Sequence, residues 1–84
     1  MVLVYVLKSR VKAFRYVGIS QNVSKRLDQH NRGNTPSTKA HRPFTIVYQE
    51  EHPDYQSARA REKYLKSSAG RRWLNSMLET KEEE

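Results

Sequence analysis

The 84-residue sequence predicts an α/β domain of the α+β kind: a small three-stranded antiparallel sheet flanked by helices, in the order β-β-α-β-α-α. Three observations predict it. Two β-branched and aromatic runs lie a short polar link apart near the N-terminus. Helix caps and stops punctuate the later segments. A third strand-like run lies between those helices. The length suits one domain, placed at 1–80, with 81–84 as an acidic C-terminal tail.

Residues 2–8, VLVYVLK, and 14–19, FRYVGI, read as strands. Ser9-Arg10-Val11-Lys12 between them is short and polar, so the pair should form an antiparallel hairpin. A four-residue loop sets Lys8 opposite Ala13 and Tyr5 opposite Tyr16. Side chains alternate along a strand, so Tyr5 shares a face with Leu3, Leu7, Phe14 and Gly18. Opposed Cβ atoms lie about 4.5–5.5 Å apart, which makes the two tyrosines neighbours. Both strands carry apolar residues on each face, and this implies a sheet covered on both sides.

Asn22 is a good N-cap and Gly33 a good stop, giving a helix over 23–32. Its inward stripe is Val23 and Leu27 with Arg26 and His30, a cation and an imidazole where a plain core helix has leucines. Residues 31–43, NRGNTPSTKAHRP, are polar, basic and rich in Gly and Pro, and read as a loop. Residues 44–48 form the third strand. Asp54 or Ser57 starts a helix running to about Ser67, in which Ala58 and Leu65 bracket Glu62 on the inner stripe. Ser68 caps a last helix that carries Trp73, Leu74, Met77 and Leu78.

Composition narrows the function classes. There is no cysteine, hence no disulfide and no Cys-type zinc site. No apolar run approaches the roughly 18 residues that span a bilayer, and the opening MVLVYVLKSR reads as a strand and not a leader, so the expected location is cytoplasmic. Residues 1–80 hold 15 Lys+Arg against 6 Asp+Glu, a net of +9. A compact body this basic attracts polyanions, with nucleic acid the usual partner and charge for solubility the plain alternative. His30, His41 and His52 match no zinc spacing; His41 reads as a solvated loop residue and His52 as a solvated turn residue. There is no phosphate-cradling loop, dinucleotide fingerprint or nucleophile elbow, and no small-molecule cofactor is expected.

Arg26, His30 and Glu62 break the apolar pattern. Buried unpaired charges cost several kcal/mol, so such groups need partners or a cleft. An Arg26–Glu62 ion pair would fix helix packing; an exposed Glu62 would need no partner; a cleft would gather all three. The tyrosines carry the same duality, because aromatic cross-strand pairs also stabilise hairpins.

The spaced set resembles the GIY-YIG nuclease family. Leu3-Val4-Tyr5 stands where that family has Gly-Ile-Tyr, and Tyr16-Val17-Gly18 where it has Tyr-Ile-Gly. The run YVGISQNVSKRLDQHNRG carries the family's Arg and His as Arg26 and His30, and ARAREKYLK carries its Glu as Glu62. STKAHRPFTIVY and GRRWL are similar to the short single-domain bacterial branch called YhbQ-like. Leu3 replaces the first glycine of the name, and Ile19 stands where some members have Lys. Asn75 is a loose counterpart of a family Asn.

The resemblance implies a metal-dependent endonuclease that hydrolyses phosphodiester bonds of DNA, more so than RNA, in a structure-selective or non-specific way, with a place in DNA repair or recombination. It implies one divalent metal, Mg2+ or Mn2+, on Glu62, with Arg26 on phosphate. It favours Tyr5 as the base, Tyr16 positioning water or phosphate, and His30 as an acceptor. Lys39 and Arg42 of the polar loop are the first candidates for backbone contacts. Two other classes stay open: a nucleic-acid-binding module of the same fold with little activity, and a protein-interaction domain whose charge is incidental.

Overall fold

The computed structural model describes residues 1–83, and the side chains of 1–78. The acidic tail at 81–84 lies outside those described side chains. The elements are β1 (Val2–Ser9), β2 (Arg15–Ser20), α1 (Val23–Asn31), a 3-10 turn at Lys39–His41, β3 (Phe44–His52), α2 (Tyr55–Lys66) and α3 (Ser68–Glu83). The sheet has the order β2-β1-β3, with β1 antiparallel to both neighbours. The α+β class and the element order are those the sequence predicts.

Each face of the sheet buries its own cluster. Val2, Val4, Val6 and Val17 pack with Ala58 and Leu65 of α2 and Leu74 of α3. Tyr5, Leu7 and Phe44 pack with Val23 of α1, edged by Leu3, Phe14, Tyr16, Leu27 and Ile46. The alternation of β1 thus feeds two cores, and helices cover both sides of its central strand.

The hairpin register is shifted from the expected one. Lys8 faces Arg15, Leu7 faces Tyr16, and Tyr5 faces Gly18, so Tyr5 and Tyr16 are not directly opposed. The link is longer because Ser9 organises it. The Ser9 N–H donates to the Phe14 carbonyl, and the Ser9 hydroxyl accepts from the N–H groups of Val11 and Lys12 while donating to the His41 carbonyl. The slip is of two residues, so facing is preserved and the tyrosines remain diagonal neighbours, with ring centroids 6.2 Å apart.

β3 runs four residues further than predicted, and a bulge at Val47 reverses its facing. Phe44 and Ile46 pack on the α1 side, whereas Tyr48, Glu50 and His52 pair with Val6, Val4 and Val2 on the α2–α3 side. Asn31, at the end of α1, ties that helix to β3: its amide accepts from the Phe44 N–H at 2.7 Å and donates to the Phe44 carbonyl at 3.3 Å.

The helix boundaries follow their caps. Asn22 accepts from the Lys25 N–H, and Asp54 from the Ser57 N–H. Gly33, at φ +82°, ends α1: its N–H reaches the His30 carbonyl, and the Asn34 N–H reaches that of Gln29. At the α2–α3 corner the cap is Ser67 and not Ser68, because the Ser67 hydroxyl accepts from the Gly70 N–H. Gly70 lets the helices close up there; a Cβ would meet the Tyr64 carbonyl and Leu65 backbone.

Candidate active site

β1 presents Tyr5 from the middle of the sheet, and the side chain is only 1% exposed. Its ring passes over Gly18 of β2, where a Cβ would lie 2.5 Å from the Tyr5 hydroxyl oxygen. The absent side chain at Gly18 makes room for the phenol, and this ties the two halves of the hairpin motif together.

α1 supplies the next two groups. His30 is fully buried. Its Nε2 lies 3.3 Å from the Tyr5 hydroxyl and its Nδ1 2.8 Å from Thr38 Oγ1. The Thr38 hydroxyl donates its one proton to the Thr35 carbonyl, at 3.3 Å. It therefore accepts from Nδ1–H, which leaves the Nε2 lone pair to accept from Tyr5 O–H. Burial, reinforced by the Arg26 charge, holds the His30 pKa below its ordinary value and keeps the ring neutral.

Arg26, one turn earlier, is half-buried and donates to Gln29 Oε1 at 2.8 Å, which steadies the guanidinium. It reaches the phenols of Tyr5 and Tyr16. Burial raises the Tyr5 pKa, against the Arg26 hydrogen bond and charge, while Tyr16 and the Glu62 carboxylate add to the rise. Tyr16 is half-buried at the mouth of the group, its ring centroid 4.7 Å from that of His30.

Glu62 comes from α2, with its side chain 13% exposed. The Arg26–Glu62 pair does not form. Glu62 Oε2 instead accepts from Lys66 Nζ at 2.9 Å, and Oε1 lies 3.7 Å from Arg59 Nη1. The structure thus gathers Tyr5, Tyr16, Arg26 and His30 by direct contact, and brings Glu62 near enough for its charge to act on Tyr5.

Lys39 and Arg42 are exposed at the C-terminal end of α1, where the Arg42 guanidinium lies across Gly33. Asn75 is exposed on α3. His41 is half-buried and not solvated: its ring stacks on Phe14 at 3.9 Å. His52 is held as well, with Nε2 2.6 Å from Glu50 Oε2 and Nδ1 3.3 Å from Ser57 Oγ.

Two groups escaped the sequence reading. Thr38, fully buried, lies in an irregular polar stretch where periodicity says nothing. The other is Glu50, which accepts from Tyr48 at 2.6 Å and Arg61 at 3.1 Å besides its His52 contact, while Arg61 lies over the Trp73 ring. Its polar atoms satisfy one another, so this cluster joins β3 to α2 and α3 and is structural.

A family model described as the GIY-YIG catalytic domain matches residues 1–75. No curated protein and no solved structure matches the chain.

Proposed function

The chain belongs to the GIY-YIG family, a family of nucleases acting on nucleic acids, and on that premise we propose that it is a metal-dependent DNA endonuclease. The observation that supports this most is the buried series Tyr5–His30–Thr38 with the Arg26 side chain beside the phenol, which gives Tyr5 both a cation and a proton acceptor.

A neutral phenol is a weak base. Here Tyr5 can take a proton from the attacking water while its own proton passes to His30 Nε2, so no isolated phenolate is needed. The water oxygen then bonds to phosphorus as the opposite P–O bond breaks. Arg26 forks onto the phosphate oxygens and offsets the charge that grows on them. Tyr16, at the mouth, positions the water or the phosphate.

Among the described residues no three His, Cys, Asp or Glu side chains converge on a metal position, and the metal reading rests on the Glu62 carboxylate alone. Mg2+ or Mn2+ would be held weakly by this carboxylate and more tightly when substrate oxygens join it. The ion supplies Lewis-acid polarisation of the phosphate. Among the described residues no helix is long and apolar enough to cross a membrane. The basic charge of the domain supports backbone contacts and with them structure-selective or non-specific binding, suited to repair or recombination in the cytoplasm, with Lys39 and Arg42 on the backbone.

The test is nicking of supercoiled and branched DNA with Mg2+ or Mn2+. Tyr5→Phe and Glu62→Ala should each lower the rate by roughly 10²–10⁴. Equal activity in all three proteins would defeat the assignment. Binding without cutting would favour a nucleic-acid-binding module, the reading that the Lys66 hold on Glu62 supports.

A further inference from the structure

The reacting groups leave unused a cleft of about 510 Å3 along the outer edge of β2. Phe14, Leu65 and Leu74 form its floor, and Arg15, Lys66 and Arg71 stand around it. Among the described residues no carboxylate lines it. Arg71 is exposed and Arg15 half-buried, and neither has a carboxylate partner among the described residues. Three cations around one trough, of which only Lys66 is paired with a carboxylate among the described residues, focus a positive potential there.

The cleft is continuous with the candidate active site. Tyr16 lines both, and Lys66 reaches from the cleft to Glu62. Leu65 is fully buried and Leu74 1% exposed, which leaves half-buried Phe14 as the apolar surface of the floor. The rim offers charge, and a polyanionic strand leaving the reacting groups would pass directly over it.

We propose that this cleft binds the sugar–phosphate backbone of the nucleic-acid strand on one side of the bond that is cut, with Arg15, Lys66 and Arg71 contacting its phosphates. The assignment rests on the nuclease reading for the identity of the ligand. It adds a second phosphate-binding surface at the β2 edge, apart from Lys39 and Arg42 at the end of α1. The contacts are to backbone and carry no sequence preference.

The test is fluorescence anisotropy of a labelled branched DNA in EDTA, over roughly 50 to 200 mM salt. Arg15→Gln and Arg71→Gln should each weaken binding and reduce the slope of log K against log salt by about 1, while Arg15→Lys and Arg71→Lys keep the native slope. Circular dichroism confirms that each variant is folded. Native affinity and slope in both glutamine variants would overturn the cleft assignment and leave the nuclease reading intact, since the native chain would still bind. Absence of DNA binding by the native chain at low salt would sink both. Displacement of the DNA by polyglutamate as readily as by unlabelled DNA would overturn the proposal in favour of an acidic protein ligand.

Discussion

The Tyr5 ring occupies the space that a side chain at Gly18 would need: a Cβ there would sit 2.5 Å from the hydroxyl oxygen and 2.6 Å from Cζ. Gly18 is therefore the seat of the phenol. Gly18→Ala must displace Tyr5 or spread the hairpin, at a cost of about 1–3 kcal/mol for overpacking. Urea denaturation should show that loss, and DNA nicking should fall with it. Pairing the change with Tyr5→Ala removes the clashing ring, so the double variant should lose less stability than the two single losses added. Strict additivity would show that the ring does not lie over Gly18 in solution.

Thr38 fixes which nitrogen of His30 carries the proton. Thr38→Val removes the acceptor of Nδ1–H and leaves a buried donor unpaired, costing about 1–3 kcal/mol. Nitrogen NMR of the imidazole should show mostly Nδ1–H in the native chain and a mixture of tautomers in the valine variant. Nicking should drop in that variant even at temperatures where it is folded, and Thr38→Ser should restore both signals. An unchanged tautomer in the valine variant would remove Thr38 from the relay.

Much of this arrangement was legible in the sequence because period-2 and helical patterns survive small errors. The expected hairpin register was wrong by two residues, yet Tyr5, Tyr16 and Gly18 still share a face, since a slip of two keeps facing. Arg26 and His30 stood out as polar positions on an otherwise apolar stripe of α1. Thr38 could not be found that way, because it reaches His30 from an irregular stretch with no period. The Glu50 cluster was hidden by a different cause. Phe44, Ile46, Tyr48, Glu50 and His52 alternate as if on one face, and only the bulge at Val47 sends the last three to the other core.

Acid should destabilise the chain in two steps. His30 has its pKa lowered by burial and by Arg26, so the unfolded chain binds the extra proton first. The stability from a neutral His30 is complete above the ordinary value of 6.5 and declines as pH falls from there towards the folded value. Glu50 follows. Burial opposes its ionisation, but hydrogen bonds from Tyr48, His52 and Arg61 outweigh that and hold its pKa below 4.5. Its contribution is present above 4.5 and is lost as pH falls further. Denaturant titrations at successive pH values should show both declines. His30→Gln should remove the first and leave the second.

Lys66 occupies a cation position on Glu62, with Nζ 2.9 Å from Oε2, where a divalent ion would compete with it. The lysine side chain is 53% exposed, so the pair is screened and worth about 0.2–1 kcal/mol. Lys66→Met should therefore tighten Mn2+ binding to the DNA-free chain by up to roughly fivefold. Arg59→Met should do less, because Arg59 stands 3.7 Å away with its side chain 70% exposed. Titration of Mn2+ followed by electron paramagnetic resonance measures this without turnover, and Glu62→Gln should abolish the binding. The same titration with DNA present separates two roles of the lysine. If Lys66 leaves Glu62 for a backbone phosphate when DNA binds, DNA should tighten Mn2+ binding in the native chain more than in Lys66→Met. Equal tightening in both would mean that the lysine stays on the carboxylate and that the substrate phosphate alone completes the metal site.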